Sequence, residues 1–401
     1  MLTSLAYIFL FGLVAAALCS LIRIPRIIGI LFVGILLGPN GLNMLDASIL
    51  MISADLRQMA LIIILIKAGL SFNPKDLMKV GRPAVLMAFV PACFEILAFV
   101  LFAPKLLNVS VTEAAIIGSV LGAVSPAVVV PKMVQLIEEK RGTSKKIPQM
   151  ILAGASLDDV FVIVLFSTFV SVAQGASARV IDFVNIPVSI LLGVLVGAVF
   201  GLILAWLFES AHERGDSIRQ SFKVIVTLGT AFFLMAIETW LKDIIPVSGL
   251  LAVMSMACVI QIKTRKIVSQ DLSAKYGRLW LAAEVILFVL VGAAVDIRYT
   301  LEAGVMALFM ILLALIFRSL GVIICLIGTK LNWKEKLYCV IAYLPKATVQ
   351  AAIGSVPLSL GLGCGKIVLS VAVLSILVTA PLGAIGMDLS YKKLLKNKNN
   401  T

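Results

Sequence analysis

Two adjacent carboxylates, Asp158 and Asp159, stand inside a long apolar stretch of the sequence, in the run 154–160 that reads GASLDDV. A charge at this depth in a membrane costs about 3 kcal/mol or more, so it needs a reason. Neighbouring residues of a helix point about 100° apart, so these two carboxylates cannot serve one partner equally. We expect one to face an ion cavity and the other to take a fixed counter-charge. A purely structural pair is disfavoured, because apolar residues would be cheaper to bury.

A buried carboxylate can hold a proton or a Na⁺ ion, but not both together. A carrier that reorients only when such a site is neutralised must therefore exchange one cation for the other. Na⁺ prefers several oxygen ligands, and Asp159 could be joined by Ser125, Ser156 and freed backbone carbonyls such as that of Val124. Asp158 and Asp159 are thus the predicted metal ligands for a transported Na⁺ or Li⁺. We expect no cofactor.

Two apolar segments contain helix-breaking runs near their middle. The first is Gly122–Pro126, read GAVSP, and the second is Tyr343–Thr348, read YLPKAT. Proline removes a backbone donor and disfavours helix in the residue before it, so we predict that both helices break. Their offset of about seven segments, together with weaker sequence matches at the same offset, predicts an inverted repeat. Unwound backbone at mid-membrane depth indicates an ion site.

Three basic residues inside apolar segments need partners. Lys346 stands at the second break and is a candidate counter-ion for Asp158. Arg318 is expected to pair with Glu95 and to hold the two halves together, although it could instead compete with the ion for the cavity. Lys67 is near a segment end, where its side chain is expected to extend to the membrane surface.

The 401 residues are 61% hydrophobic and 14% charged, which excludes a soluble globular protein. Apolar runs long enough to cross a bilayer number about 13. They are continuous and do not alternate, so helices are predicted and strands are not. The predicted fold class is therefore an all-α integral membrane protein of about 13 transmembrane helices with inverted repeats and two broken helices.

The net charge of +13 lies mainly in alternate loops, so it reports topology and requires no nucleic-acid partner. The positive-inside rule places the N-terminus outside and the lysine-rich C-terminus in the cytoplasm. The lipid bilayer is the expected partner. The six cysteines show no metal-ligand spacing, and the single histidine, His212, is interpreted as a solvated loop residue.

These motifs resemble the monovalent cation/proton antiporter superfamily, and specifically its NHA-type branch of sodium/proton antiporters. Three stretches carry the resemblance: 121–131 (LGAVSPAVVVP), 156–159 (SLDD) and 344–352 (LPKATVQAA). The resemblance implies the sodium/proton antiporter fold, with two crossed broken helices, a homodimer and elevator-type movement in a cell inner (plasma) membrane. It also implies that Asp159 is the main cation and proton site, with Asp158 beside it.

The resemblance further implies a division into domains. Residues 1–83 (helices 1–3) and 221–301 (helices 8–10) would form the dimer or scaffold domain. Residues 84–172 (helices 4–6) and 302–401 (helices 11–13 with a basic cytoplasmic tail) would form the core transport domain, and 173–220 the linker helix 7. In this branch an arginine replaces the lysine of electrogenic relatives, and Arg318 with Glu95 opposite matches that arrangement. The stoichiometry stays open, because an arginine does not release its proton.

Other functions fit parts of the same pattern. A K⁺/H⁺ antiporter would need the same acid, and an organic-anion carrier could share the inverted-repeat fold, although its site should carry more uncompensated positive charge. A passive channel is less suited to symmetric helix breaks. An intramembrane aspartyl protease is improbable as the enzyme alternative, because its two carboxylates must converge from separate helices. Asp158 and Asp159 diverge from one.

Overall fold

The computed structural model describes residues 1–21, 24–71, 81–174, 180–213, 220–241, 245 and 247–396. The regular elements within these ranges are helices. They are α1 Leu2–Leu21, α2 Arg26–Leu37, α3 Ala47–Met51, α4 Ser53–Ser71, α5 Arg82–Met87, α6 Val90–Leu106, α7 Val111–Leu121, α8 Pro126–Glu138, α9 Ile147–Ala173, α10 Val180–Glu213, α11 Gln220–Leu241, α12 Gly249–Lys263, α13 Lys266–Ala293, α14 Ile297–Cys325, α15 Trp333–Ala342, α16 Thr348–Gly354, α17 Val356–Ser359 and α18 Gly365–Leu394. A short 3₁₀ turn, Thr143–Lys145, precedes α9.

The chain is an all-α integral membrane protein. Among the described residues, seven helical stretches are long and apolar enough to cross a membrane, and several shorter apolar helices accompany them. Some of the shorter ones, such as α7, are halves of a helix that the sequence predicts to be broken. The helices agree with the prediction of about 13 spans, because two short halves together make one crossing.

Both predicted breaks are present. The first lies between α7, which begins with a capping box of Ser110 and Glu113, and α8, which begins at Pro126. Proline is tolerated at that first helical position because its missing N–H would have no intrahelical acceptor. The second lies between the end of α15 at Ala342 and the start of α16 at Thr348.

The two breaks touch each other. The Ser125 amide donates to the Pro345 carbonyl over 2.8 Å, a bond between residues 220 positions apart in sequence that no regular helix supplies. The broken helices therefore meet at their unwound segments. Each segment satisfies part of the hydrogen-bonding demand of the other, as buried backbone requires.

Helix α13 includes basic residues that precede its apolar part. It begins at Lys266, so Lys275 and Arg278 lie within the helix. Lysine and arginine are good helix formers, so a charged run alone does not mark a loop. In the same way Arg57 lies within α4 and is buried.

The chain divides into two compact units, Met1–Ala54 with Lys75–Ala173 and Val285–Thr401, and Asp55–Pro74 with Gln174–Glu284. In the first unit α6 and α14 approach closely, since a Cβ atom on Gly321 would lie 2.9 Å from the Pro91 Cα atom. In the second unit α10 and α12 pack through Gly193, Gly197 and Gly201. The functional division into dimer and core domains stays a prediction.

Candidate ion-binding site

Arg318 joins four separate segments of the first unit. It lies within α14 and is completely buried. Its Nε donates to the Tyr343 carbonyl over 2.6 Å, Nη1 donates to Glu95 Oε2 over 2.7 Å and also to the Gly122 carbonyl, and Nη2 donates to Asp158 Oδ2 over 3.0 Å. The planar guanidinium makes this possible, because its donors point in fixed and different directions. The predicted pair of Glu95 and Arg318 is present.

Lys346 lies in the second break, and its Nζ donates to Glu95 Oε2 over 2.6 Å and to the Leu121 carbonyl. The prediction that Lys346 is the counter-ion of Asp158 is therefore wrong at the level of direct contact. Asp158 pairs with Arg318, whose Nη1 and Nη2 reach Glu95 and Asp158 respectively. The hydrogen bonds of Lys346 Nζ in the described structure go instead to Glu95 and the Leu121 carbonyl.

Both cations also cap helix ends. The carbonyls of Leu121 and Gly122 close α7, and that of Tyr343 follows α15, so these ends carry partial negative charge. Lys346 and Arg318 donate to them. The breaks thus expose carbonyl groups that the two cations satisfy, which explains how unwound backbone persists in the interior of the protein.

Asp158 is held in place from two directions. Besides the guanidinium of Arg318, its Oδ2 accepts a hydrogen bond of 2.8 Å from the Val124 amide in the first break. The side chain is fully buried in α9. Asp158 is therefore the member of the acid pair that has the predicted fixed counter-charge.

Asp159, the next residue, has no such anchor. Its side chain is 8% exposed, and Oδ1 has no hydrogen-bond partner among the residues that the structure describes. Within that part of the chain it also forms no ion pair within 4.0 Å, although Arg318 and Asp158 are near enough to influence it electrostatically. A buried carboxylate without a fixed partner is costly as an anion, so it favours a proton or a cation.

The other predicted ligands lie near the acid pair to differing degrees. Ser125 is completely buried at the crossing, where its hydroxyl oxygen accepts a 3.5 Å contact from the Thr348 amide. Val124 contacts Asp158 through its amide, not its carbonyl. Ser156 lies in α9 two residues before Asp158, but its side chain falls outside the described residues.

The buried charges of this cluster do not balance. Glu95, Asp158 and Asp159 supply three carboxylates, and Arg318 and Lys346 supply two cations, all nearly or completely buried. With every group ionised the cluster carries one excess negative charge. A single proton or a single monovalent cation makes it neutral, which matters because an uncompensated charge is expensive at this depth.

Gln350 was missed by the sequence analysis. It is completely buried in α16, its Oε1 accepts from the Ala347 amide over 2.7 Å, and its Nε2 donates to the Ala123 carbonyl over 2.9 Å. It therefore connects one broken helix to the other. A signal was available, because Gln350 is an uncharged polar residue within the apolar run that follows the second break.

Several buried polar atoms around the crossing have no hydrogen-bond partner among the described residues. They are Glu95 Oε1, Asp158 Oδ1, Asp159 Oδ1, Tyr343 Oη and Thr348 Oγ1. Buried polar atoms are normally satisfied, so a cluster of exceptions indicates a place built for water or an ion. These atoms belong to the second broken helix and to α6 and α9.

Comparison with known proteins identifies a matching family and similar sequences. The model of the family described as "Sodium/hydrogen exchanger, transmembrane" matches residues 6–388. The chain is 34% identical over 361 residues to "Sodium/hydrogen exchanger 9B2" of Xenopus tropicalis, covering 87% of this chain and 65% of that protein. It is 31% identical over 405 residues to the protein of the same name from Mus musculus, covering 98% and 72%. The chain thus spans slightly less than two thirds of the length of the Xenopus protein.

The fold has a counterpart among solved structures. The sodium proton antiporter MjNhaP1 from Methanocaldococcus jannaschii matches with a TM-score of 0.82, over 98% of both chains and at 21% sequence identity. At that identity the match concerns the fold alone.

Proposed function

The chain belongs to the sodium/hydrogen exchanger family, in the NHA-type branch of the monovalent cation/proton antiporter superfamily, and from this premise we propose that it exchanges Na⁺ or Li⁺ for protons. Members of this family are transporters, so the chain is not an enzyme, and the aspartyl protease alternative is set aside. The observation that carries the proposal is the contrast between Asp158, fixed by Arg318, and Asp159, which has no ion pair within the described residues.

Asp159 is the proposed carrier. When it holds a proton or a Na⁺ ion, the excess negative charge of the cluster is neutralised, and the loaded site can change the side it faces. When it holds neither, the charge resists burial and the site stays where it is. Because the carboxylate accepts one cation at a time, movement in one direction with Na⁺ and in the other with a proton gives exchange.

The movement is proposed to be of the elevator type. In support, Arg318 and Lys346 tie α6, α9, α14 and both breaks together through buried hydrogen bonds. Such a network is rigid, since breaking a buried ion pair is costly. The site would therefore move as one body and would not open by separating its own helices.

The remaining features follow from the sequence and from the family. We place the chain in a cell inner (plasma) membrane with the N-terminus outside and the C-terminus in the cytoplasm, in accordance with the distribution of lysine and arginine. A homodimer is proposed from the resemblance to the antiporter branch. Protons, Na⁺ and Li⁺ would be the transported species, held as substrates and not as resident cofactors.

The test compares Asp159→Asn with Asp46→Asn in proteoliposomes that report Na⁺-driven changes of internal pH. Asparagine keeps the shape of the side chain but cannot exchange a proton, so Asp159→Asn is expected to abolish exchange. Asp46 is exposed and caps α3, a position where asparagine serves equally well, so that variant should behave like the unmodified protein. Exchange that survives in Asp159→Asn would remove the basis of the proposal.

The same assay separates the alternatives. Competition at one carboxylate predicts that the apparent KM for Na⁺ rises as pH falls while the maximal rate changes little. A K⁺/H⁺ antiporter would show the lowest apparent KM with K⁺ in a series of Na⁺, Li⁺ and K⁺. An organic-anion carrier is disfavoured by the excess negative charge of the cluster, and a channel would conduct without a counter-ion gradient.

A further inference from the structure

The carbonyl groups of the first break are not equally available to a bound ion. The Leu121 carbonyl accepts from Lys346 Nζ, and the Gly122 carbonyl accepts from Arg318 Nη1. The Ala123 carbonyl accepts from Gln350 Nε2. The Ser125 carbonyl accepts from amides at the start of α8. Within the described residues the Val124 carbonyl accepts no hydrogen bond, so it is the carbonyl of this break that is available to a cation.

Lys346 and Arg318, which hold the Leu121 and Gly122 carbonyls, are charged and also pair with carboxylates. The Ala123 carbonyl is held by Gln350, which carries no charge. Its side chain is completely buried and makes both of its good hydrogen bonds within the crossing. Oε1 caps the start of α16 through the Ala347 amide, and Nε2 reaches across to the other broken helix. A longer contact of 3.5 Å joins Nε2 to the Leu121 carbonyl.

We propose that Gln350 is a positioning residue that sets the cation selectivity of the site, by holding the Ala123 carbonyl away from the ion so that Val124 alone supplies a carbonyl from this break. The inference rests on the proposed function, because it concerns the cation bound beside Asp159. Val124 is suitably placed, since its own amide contacts Asp158, the neighbour of Asp159. Gln350 would act on the ion through the backbone that it holds and would not touch the ion itself.

The physical reason is that the number of oxygen dipoles around an alkali ion helps to select its size. Sites with more carbonyl ligands favour a larger and more weakly hydrated ion such as K⁺, whereas a compact set with a carboxylate suits Na⁺ and Li⁺. Releasing the Ala123 carbonyl would add a possible ligand and loosen the break. Selectivity for the smaller ions should then decrease.

The test measures the apparent KM for Na⁺, Li⁺ and K⁺ and the maximal rate for Gln350→Met, Gln350→Glu and Ser375→Ala in proteoliposomes. Methionine matches the volume of glutamine but makes neither hydrogen bond. We expect the KM for Na⁺ and Li⁺ to rise about tenfold and the preference over K⁺ to narrow, with the maximal rate within about threefold of the unmodified protein. Ser375 is buried in α18, and its hydroxyl donates to the Ala372 carbonyl of the same helix, so Ser375→Ala should leave the KM ratio unchanged.

Gln350→Glu separates selectivity from simple helix capping. A glutamate can accept from the Ala347 amide in either protonation state but donates to the Ala123 carbonyl only when it is protonated. We therefore expect the preference for Na⁺ and Li⁺ over K⁺ to decrease in this variant as pH rises and the introduced carboxyl ionises. Normal KM ratios in Gln350→Glu across the whole pH range, together with altered ratios in Gln350→Met, would mean that Gln350 only caps α16, which overturns the inference. If Gln350→Met does not purify as a monodisperse protein, Gln350→Glu alone decides.

Asp159→Asn, measured in parallel, keeps the two proposals apart. If it is inactive and both Gln350 variants select ions like the unmodified protein, the inference about Gln350 fails and the proposed function stands. If Asp159→Asn still exchanges Na⁺ for protons, the proposed function fails whatever the Gln350 variants do. If both Gln350 variants show a reduced preference for Na⁺ and Li⁺ over K⁺ and Asp159→Asn is inactive, both proposals are supported.

Discussion

Arg318 and Lys346 donate to the same oxygen atom of Glu95, from 2.7 Å and 2.6 Å. Glu95 lies in α6, within the first half of the inverted repeat, and both cations lie in the second half. One buried carboxylate therefore joins the two halves at the site. Its second oxygen, Oε1, has no hydrogen-bond partner in the described part of the chain, so the connection depends on Oε2 alone.

Replacing Glu95 by glutamine should lower the free energy of unfolding by about 3–5 kcal/mol, because two buried cations lose their shared anion. Thermal and denaturant unfolding of the detergent-purified protein would measure it. The control is Glu139→Gln, which removes a carboxylate that is 36% exposed and lies 3.6 Å from Arg141 Nε. An exposed pair contributes less than about 1 kcal/mol, so equal losses in the two variants would contradict the prediction.

The two aspartates should respond differently to the same substitution. Asp158→Asn breaks the ion pair with Arg318 and should destabilise the protein by about 3 kcal/mol. Asp159→Asn removes a buried negative charge that has no ion pair in the described structure, so stability should stay the same or rise by about 1 kcal/mol. Unfolding measured near pH 8 in the absence of Na⁺ compares them directly. Similar destabilisation by both would show that Asp159 has a fixed partner.

Gly154→Ala should destabilise the protein by about 1–3 kcal/mol through overpacking. A Cβ atom there would overlap the hydroxyl of the buried Tyr343 and would lie 3.0 Å from the Met87 Cβ atom, and Tyr343 also positions Arg318 through its carbonyl.

The matched control for Gly154→Ala is Gly229→Ala in α11, where a Cβ atom meets nothing within 4 Å. Alanine is favoured over glycine in a helix by about 1 kcal/mol, so Gly229→Ala should be neutral or stabilising. The comparison uses the same unfolding measurements. A Gly154→Ala protein as stable as Gly229→Ala would mean that Tyr343 can move without cost.

The sequence alone was enough to predict the helical membrane fold, both breaks and the pair of Glu95 with Arg318. Length and continuity of apolar runs determine the first, and proline chemistry determines the second. The pair followed from inverted symmetry, since α6 and α14 occupy corresponding places in the two halves. These features depend on local composition or on simple topology, which a sequence displays directly.

Other features depend on distances that a sequence does not display. Lys346 and Arg318 had three carboxylates to choose from, and only side-chain reach assigns Glu95 to both and Asp158 to Arg318. The contribution of Gln350 was hidden for the same reason, because its partners Ala123 and Ala347 contribute backbone atoms and not side chains.

The order in which a ribosome delivers this cluster has a consequence for biogenesis. Glu95 and Asp158 leave the ribosome 223 and 160 residues before Arg318, and Lys346 follows later still. These two carboxylates must therefore wait for their counter-charges during synthesis, either protonated or in contact with water at the insertion machinery. The first six spans therefore cannot reach their final packing until translation has passed residue 346.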